Sequence, residues 1–259
     1  MHFVRKLALI LAIASLSAAC GGSEPGDDNS TGGTSATGGS TATGSTAGTG
    51  GNAGAPVSIG DLLPWKEGNT WSYRVTDDAG NSTVKRTTVG PLEPVGGTGP
   101  NKDLMANKVT THKDDTGDGM DLDETVSWQG KEGERLVRYR EQAFVRGTQT
   151  LDLEEHWTPS KLHVDSSADH TTVGTTWLES YKETKLPAGA TPIYDAQAND
   201  RWFVERREMV TVPAGTFDAL VLRKVSVAAA QKNYWYVPGV GKVKEIGGQT
   251  EELLDYELK

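Results

Sequence analysis

The acidic segment at residues 114–124 is the part of the sequence that most resembles a metal site. Counted from Asp114, side chains with oxygen ligands stand at loop positions 1, 3 and 5 and glycine at position 6, as in calcium-binding loops. The carboxylate expected at position 12 is absent, because Glu124 comes one residue early. Two interpretations stay open: a solvated acidic hairpin tip, which the sequence favours, or a calcium site. The calcium ligands would be Asp114, Thr116, Asp118 and Glu124.

Other chemistry-bearing patterns are weaker. His156, His163 and His170 recur every seven residues, but this spacing matches no short zinc motif and places successive side chains on opposite faces of a strand. Pro159 is also expected to break the segment between the first two. The chain has neither a Gly-x-Ser-x-Gly nucleophile motif nor a phosphate-binding glycine loop. The sequence therefore predicts no enzyme activity, and no cofactor beyond the calcium considered above.

The only cysteine, Cys20, follows a segment with the features of a secretory signal. Residues 1–19 contain a basic start (Arg5 and Lys6), a short apolar run and small residues before the cysteine. This segment resembles the lipobox of bacterial lipoproteins, in which the cysteine is acylated and becomes the N-terminus. The alternative is ordinary cleavage after Ala19, which leaves a free thiol. A single cysteine excludes an intrachain disulfide.

The segment after Cys20 predicts a tether and a location. Residues 20–56 combine the acylated cysteine with a run of Gly, Ser, Thr and Ala that has almost nothing to bury, so we expect a disordered linker. Gly21 rather than aspartate follows the cysteine, which favours the outer membrane, on its periplasmic or surface face. Without Arg5 and Lys6 the chain has 24 basic and 35 acidic residues, a net charge of −11, which argues against a nucleic-acid partner.

Aromatic residues are the second set of candidates for binding. The chain has seven tryptophans: Trp65, Trp71, Trp128, Trp157, Trp177, Trp202 and Trp235. They either fill a β core, which the sequence favours, or line an apolar ligand cavity or a sugar platform. In residues 234–236, alternation places Trp235 opposite to both neighbouring tyrosines. The candidate ligand-facing residues are Trp71, Trp177, Trp235, Tyr234 and Tyr236.

These residues must be positioned by strands. From residue 57 onward β-branched and aromatic residues alternate with turn sequences, and helical periodicity is absent. The predicted strands cover residues 70–76, 82–89, 104–113, 123–129, 135–139, 150–157, 175–185, 201–212, 219–226, 232–237, 242–246 and 250–258. We predict an all-β single domain at 57–259, an antiparallel meander that forms a strongly curved sheet or a partly open barrel.

The two halves of this domain resemble each other. Gly68-Asn69-Thr70-Trp71 is echoed by Gly174-Thr175-Thr176-Trp177, residues 107–110 by 223–226, and residues 124–128 by 232–236. The pattern indicates two diverged repeats, with the general similarity of β-hairpins as the alternative.

Three segments also resemble the TapB-like family of bacterial envelope lipoproteins. They are Pro-Trp-Lys-Glu-Gly-Asn-Thr-Trp-Ser-Tyr at 64–73, Val-Thr-Val-Pro-Ala-Gly-Thr-Phe-Asp-Ala at 210–219, and Tyr-Trp-Tyr-Val-Pro-Gly-Val-Gly-Lys-Val-Lys-Glu at 234–245. The resemblance covers residues 59–258 and implies a β-sheet envelope domain without an assigned activity or catalytic residues.

The sequence as a whole predicts a membrane-anchored envelope lipoprotein with a non-enzymatic binding or structural domain. One alternative is a carrier or sensor of an apolar ligand such as a lipid, and another is a carbohydrate-binding module. The expected partners are the membrane, through the anchor, and an envelope protein or apolar ligand.

Overall fold

Alternating side chains and short turn sequences produce the strands expected after residue 57. The structure, a computed structural model, describes residues 60–114, 122–188, 191–226 and 230–259. The described residues form twelve strands: β1 (Thr70–Thr76), β2 (Ser82–Pro94), β3 (Met105–Asp114), β4 (Leu122–Glu132), β5 (Arg135–Phe144), β6 (Leu151–Asp165), β7 (Thr176–Pro187), β8 (Tyr194–Val212), β9 (Gly215–Ser226), β10 (Gln231–Val237), β11 (Gly241–Ile246) and β12 (Thr250–Glu257).

The sheet closes on itself. Each strand pairs antiparallel with the next strand in sequence, and β1 also pairs with β12. Trp71 on β1, for example, lies opposite Thr87 of β2 on one side and Tyr256 of β12 on the other. Closure leaves no free edge among the twelve described strands. The predicted all-β antiparallel fold is confirmed, and the curvature expected from the sequence is carried through to a complete barrel.

Several strands extend beyond their predicted limits. For β6 the physical reason is visible in its pairing. The sequence predicts a break at Pro159, but the strand continues past it. The pairing of β6 with β5 shifts register around Arg138 and Arg140, so residues 157–160 leave that ladder as a bulge. A proline is tolerated there because no ladder N–H is required of it. The side chain of Asn101 donates a hydrogen bond to the Pro159 carbonyl oxygen at 2.6 Å.

The residues that precede β1 fill the end of the barrel at which β1 begins. Leu62 is completely buried and its backbone N–H donates to Ser166 Oγ at 2.9 Å, while Leu63 is 6% exposed. The ring of Trp65 stacks on Trp71, with 6.5 Å between centroids. Apolar residues of this segment therefore join the core and close this end.

Residues matched between the two halves of the sequence fall on strands that are six positions apart in the strand order. The pairs are Trp71 on β1 with Trp177 on β7, Val109 on β3 with Val225 on β9, and Trp128 on β4 with Trp235 on β10. This placement agrees with duplication of a six-stranded unit, which stays a prediction.

The signal segment, Cys20 and the expected tether lie outside the described residues. Within the described residues, no helix has the length and apolar character needed to cross a membrane. The location of the protein therefore stays a prediction from its sequence.

Candidate functional site

The barrel encloses a cavity of about 610 Å³. This volume lies within the range of small-molecule sites, about 300–1,000 Å³. Leu63 and Trp65 contribute to its lining from the filled end, and Gln249 contributes from the turn between β11 and β12 at the opposite end. The full lining is Leu63, Trp65, Trp71, Tyr73, Lys85, Thr87, Thr111, Lys113, Asp123, Thr125, Gln129, Arg138, Glu141, Lys161, Leu162, His163, Trp202, Lys224, Lys232, Tyr234, Tyr236, Lys242, Glu245, Gln249 and Glu251.

A bulge brings two charged residues of β11 into this cavity together. Lys242 and Glu245 are three positions apart, so a regular strand would place them on opposite faces. The pairing of β10 with β11 shifts between Trp235 and Tyr236, and Lys242 then lies opposite Tyr236. One extra residue on the bulged strand restores a common orientation. Both Lys242 and Glu245 therefore line the cavity.

Five charged side chains form an ion network inside the barrel. Lys242 Nζ lies 2.7 Å from Glu251 Oε2 and also bonds Glu245, while Lys232 Nζ lies 2.7 Å from Glu245 Oε1. Lys85, from β2, bonds Glu251. The side chain of Glu251 is 4% exposed and that of Lys232 is 44% exposed, so the network runs from the interior toward solvent. Three lysines face two glutamates, which leaves one positive charge in excess.

Burial and the neighbouring charges both shift the pKa values of these groups. Burial would raise the pKa of Glu251, but the ammonium groups of Lys242 and Lys85 lower this pKa to about 2. Burial, aided by the charge of Lys242, lowers the pKa of Lys85 to about 8. Burial also raises the pKa of the Tyr236 hydroxyl, against the opposing effect of Lys242. At neutral pH Glu251 and Lys85 are therefore ionised, and the Tyr236 hydroxyl keeps its proton as a hydrogen-bond donor.

A row of stacked aromatic rings crosses β7, β8 and β10. Trp202 lies between Trp177, at 5.9 Å between centroids, and Tyr234, at 5.7 Å. The outer face of Trp177 stacks on His170 at 4.0 Å, and Tyr234 is followed by Tyr236 at 6.1 Å. Trp202, Tyr234 and Tyr236 line the cavity. This row therefore places three aromatic side chains, with their polar atoms, among the residues that line the cavity.

Three cavity-lining residues carry a buried polar atom without a hydrogen-bond partner. These atoms are Tyr236 Oη, Trp202 Nε1 and Gln129 Oε1. The three residues are 0%, 1% and 3% exposed, respectively. An unpaired buried polar group costs about 1–3 kcal/mol, so such groups are rare unless something else satisfies them. By contrast, Trp71 Nε1 donates to the Val240 carbonyl oxygen at 2.7 Å.

The charge of the cavity wall is opposite in sign to that of the chain. Six lysines and one arginine line the cavity together with four carboxylates, a net charge of +3. The whole chain has a net charge of −9. Two of the wall lysines are also paired with residues behind the wall: Lys161 lies 3.3 Å from Glu183 and Lys224 lies 3.4 Å from Asp200.

The structure brings three of the five aromatic candidates together. Trp71, Tyr234 and Tyr236 line the cavity. Trp177 stands one ring behind the wall, stacked on Trp202. Trp235 lies on the other face of β10, 7% exposed, and its Nε1 donates to Glu208 Oε1 at 2.6 Å.

The acidic segment is described only in part, because Thr116 and Asp118 lie outside the described residues. Asp114 ends β3, and the Glu124 carboxylate lies 3.2 Å from His112 Nε2 on the paired strand. Within the described ranges no group of three or more potential metal ligands occurs. The calcium hypothesis therefore stays a prediction.

The sequence did not indicate the inward lysines, and Trp202 was not among the five candidate ligand-facing aromatic residues. Lys85 alternates with Thr87 and Val89 on β2, which is the only local sign that it faces inward. Lys242 and Glu245 give no such sign, because the bulge between them hides their common orientation. A search for charged residues at inward positions of each strand would have found Lys85. It would not have found Lys242 and Glu245 together.

No family model matches the chain, and no curated protein matches it. Two solved structures resemble it. One, a candidate exported protein with a YmcC-like fold from Bacteroides fragilis, is 12% identical, with a TM-score of 0.44 over 77% of this chain and 100% of that one. The other, a candidate lipoprotein from Parabacteroides distasonis, is 13% identical, with a TM-score of 0.46 over 76% and 99%. With TM-scores below 0.5, neither likeness supports a conclusion about function.

Proposed function

We propose that this protein is an envelope lipoprotein whose barrel is a non-enzymatic binding domain for a small ligand held in the cavity. The observation that carries the proposal is that three residues lining the cavity, Tyr236, Trp202 and Gln129, each hold a buried polar atom without a hydrogen-bond partner. Protein interiors are otherwise close-packed with their polar groups paired. A ligand that supplies partners to these atoms accounts for both the volume and the unpaired groups.

The lining favours a ligand with polar groups over a wholly apolar one. Eleven of the residues that line the cavity are charged, and a hydrocarbon ligand would remove their water without giving them partners. The apolar-carrier alternative therefore has weaker support than a polar or amphipathic ligand.

A carbohydrate platform is also less well supported. Sugar stacking requires a free aromatic face, whereas Trp202 stacks on two neighbouring rings, Trp177 and Tyr234. The rings of Trp65 and Trp71 likewise stack on each other.

The anchoring part of the proposal comes from the sequence. Cys20 and the preceding signal-like residues support acylation, and the TapB-like segments support an envelope lipoprotein, which we place at the outer membrane. Metabolic labelling with a palmitate analogue tests this part. We expect labelled protein in the membrane fraction for the full chain and loss of label for Cys20→Ala; label retained by this variant contradicts the proposal.

Native mass spectrometry tests the binding part. The mature chain carrying Cys20→Ser, exported in a bacterium so that it meets envelope molecules, is expected to carry a bound small-molecule mass. Thr125→Trp places a large side chain in the cavity and should remove that mass. Thr211→Trp, at an exposed position on β8, should retain it. An apo mass for the unmodified barrel, or a bound mass that survives Thr125→Trp, contradicts the proposed function.

A further inference from the structure

The ion network and the unpartnered donors together define the chemical class of the ligand. The network holds three lysines and two glutamates, so it has one positive charge in excess, with Lys232 at its solvent end. One added anion would balance it. This inference rests on the proposed function, since it assigns the ligand of the same cavity.

Tyr236 supplies a donor at the network. It lies directly opposite Lys242 across the β10–β11 pair, it is completely buried, and its hydroxyl has no partner. Tyr73 is also close to these lysines: Lys85 Nζ and Lys242 Nζ each lie 5.1 Å from its ring centroid. Its hydroxyl, however, donates to the Lys242 carbonyl oxygen at 3.0 Å. One of the two tyrosines beside the lysines is therefore satisfied within the protein, and the other is left for a ligand.

A second donor stands further along the aromatic row. Trp202 Nε1 is unpartnered, and two ring steps of 5.7 and 6.1 Å separate Trp202 from Tyr236 through Tyr234. A single small ion cannot satisfy both donors. The ligand must carry an acid group at one end and a hydrogen-bond acceptor some way along its skeleton.

We propose that the cavity binds an organic monoanion, with its carboxylate or phosphodiester group at Lys85, Lys242 and Tyr236 and an acceptor atom at Trp202. Charge-assisted hydrogen bonds from ammonium groups and a neutral hydroxyl hold the acid group. The aromatic side chains contact the skeleton between the two polar ends.

Two dyes that differ by one sulfonate test the anion. Anilinonaphthalene sulfonate is the anionic probe, and N-phenylnaphthylamine has the same ring skeleton without the charge. We expect the anionic dye to bind the mature barrel about tenfold to hundredfold more tightly, as a charged hydrogen-bonded group should. Equal binding, or tighter binding of the neutral dye, overturns the monoanion inference.

Variants assign the preference to the network. Lys85→Met leaves two lysines and two glutamates, so the preference for the anionic dye should fall to within a few-fold. Tyr236→Phe, a conservative change expected to fold, should weaken the anionic dye several-fold and leave the neutral dye unchanged. Lys244→Met, on the outer face beside Glu252, is the matched control and should change neither. An unchanged preference in Tyr236→Phe contradicts the assignment.

Further experiments determine which acid group is preferred and distinguish failure of the monoanion inference from failure of the proposed function. Displacement of the anionic dye by benzoate or by diphenyl phosphate shows which group is preferred, and benzyl alcohol should displace it poorly. If benzyl alcohol displaces the dye as effectively as both anions do, the monoanion inference is contradicted. If dye binding persists in Thr125→Trp, the dyes lie outside the barrel and the proposed function itself fails. If Thr125→Trp abolishes binding of both dyes but they bind the unmodified barrel equally, only the monoanion inference fails.

Discussion

Lys242 Nζ lies 2.7 Å from Glu251 Oε2 inside the barrel, and the same ammonium group also bonds Glu245. Removing one member of a buried ionic group leaves the other charges without compensation. We expect Lys242→Met to lower the free energy of unfolding by about 3 kcal/mol, measured by urea denaturation at pH 7.

The neighbouring Lys244 provides the control for this change. It lies on the outer face, 3.3 Å from Glu252, and a partly exposed surface pair of this kind contributes about 1 kcal/mol or less. Equal losses for Lys244→Met and Lys242→Met would contradict the interior role of the network.

We predict opposite effects on stability for two of the tyrosines that line the cavity. Tyr73→Phe removes the hydrogen bond to the Lys242 carbonyl oxygen and should destabilise the barrel by about 1 kcal/mol. Tyr236→Phe removes a buried hydroxyl without a partner and should leave the ligand-free barrel equally stable or about 1 kcal/mol more stable. Thermal unfolding of both variants checks the difference, and a clear loss of stability in Tyr236→Phe would show that its hydroxyl is already satisfied.

Gly241 is required where the filled end meets β11. Its φ is +118°, and a Cβ there would lie 2.8 Å from both Leu63 Cδ1 and Trp71 Nε1. Gly241→Ala should therefore cost about 3 kcal/mol, from backbone strain and displaced side chains. Gly239, with φ +77° and open space around its Cβ, should cost only about 1 kcal/mol when changed to alanine. Chemical denaturation of both variants measures these costs, and similar values would mean that the contacts of Gly241 are easily relieved.

His163 predicts a pH dependence of stability. Burial, aided by the charge of Arg138, lowers the pKa of this cavity-lining histidine from 6.5 to about 3. The unfolded chain therefore takes up a proton near pH 6.5 that the folded barrel does not, so stability falls as the pH drops below 6.5. Between pH 6.5 and 5 the loss should be about 1–2 kcal/mol.

Replacing this histidine should remove that part of the pH dependence. Urea denaturation of His163→Gln at pH 6.5 and at pH 5 should show a smaller difference than the unmodified barrel. His112, on the outer face with its side chain 42% exposed, is the control, and His112→Gln should keep the full difference. An undiminished difference in His163→Gln would indicate that other groups cause it.

The strands could be predicted from the sequence because their signals are local. Alternation and turn residues identified all twelve, and alternation placed Trp235 opposite Tyr234 and Tyr236. The candidate site was less accessible. Lys85 and Glu251, which bond inside the barrel, are 166 residues apart and meet only because β1 pairs with both β2 and β12. The β11 bulge and the continuation of β6 past Pro159 depend on registers that no short pattern encodes.

The central claim is that the barrel interior is a ligand site, and the tryptophan indole signals test it most directly. Two-dimensional ¹H–¹⁵N NMR of the mature barrel follows each indole N–H, and Trp202→Phe assigns the critical signal. On addition of anilinonaphthalene sulfonate, we predict that the Trp202 signal shifts as its unpartnered N–H meets the ligand, while Trp235, bonded to Glu208 on the outer face, stays in place. A titration that moves Trp235 and leaves Trp202 unchanged would contradict the account.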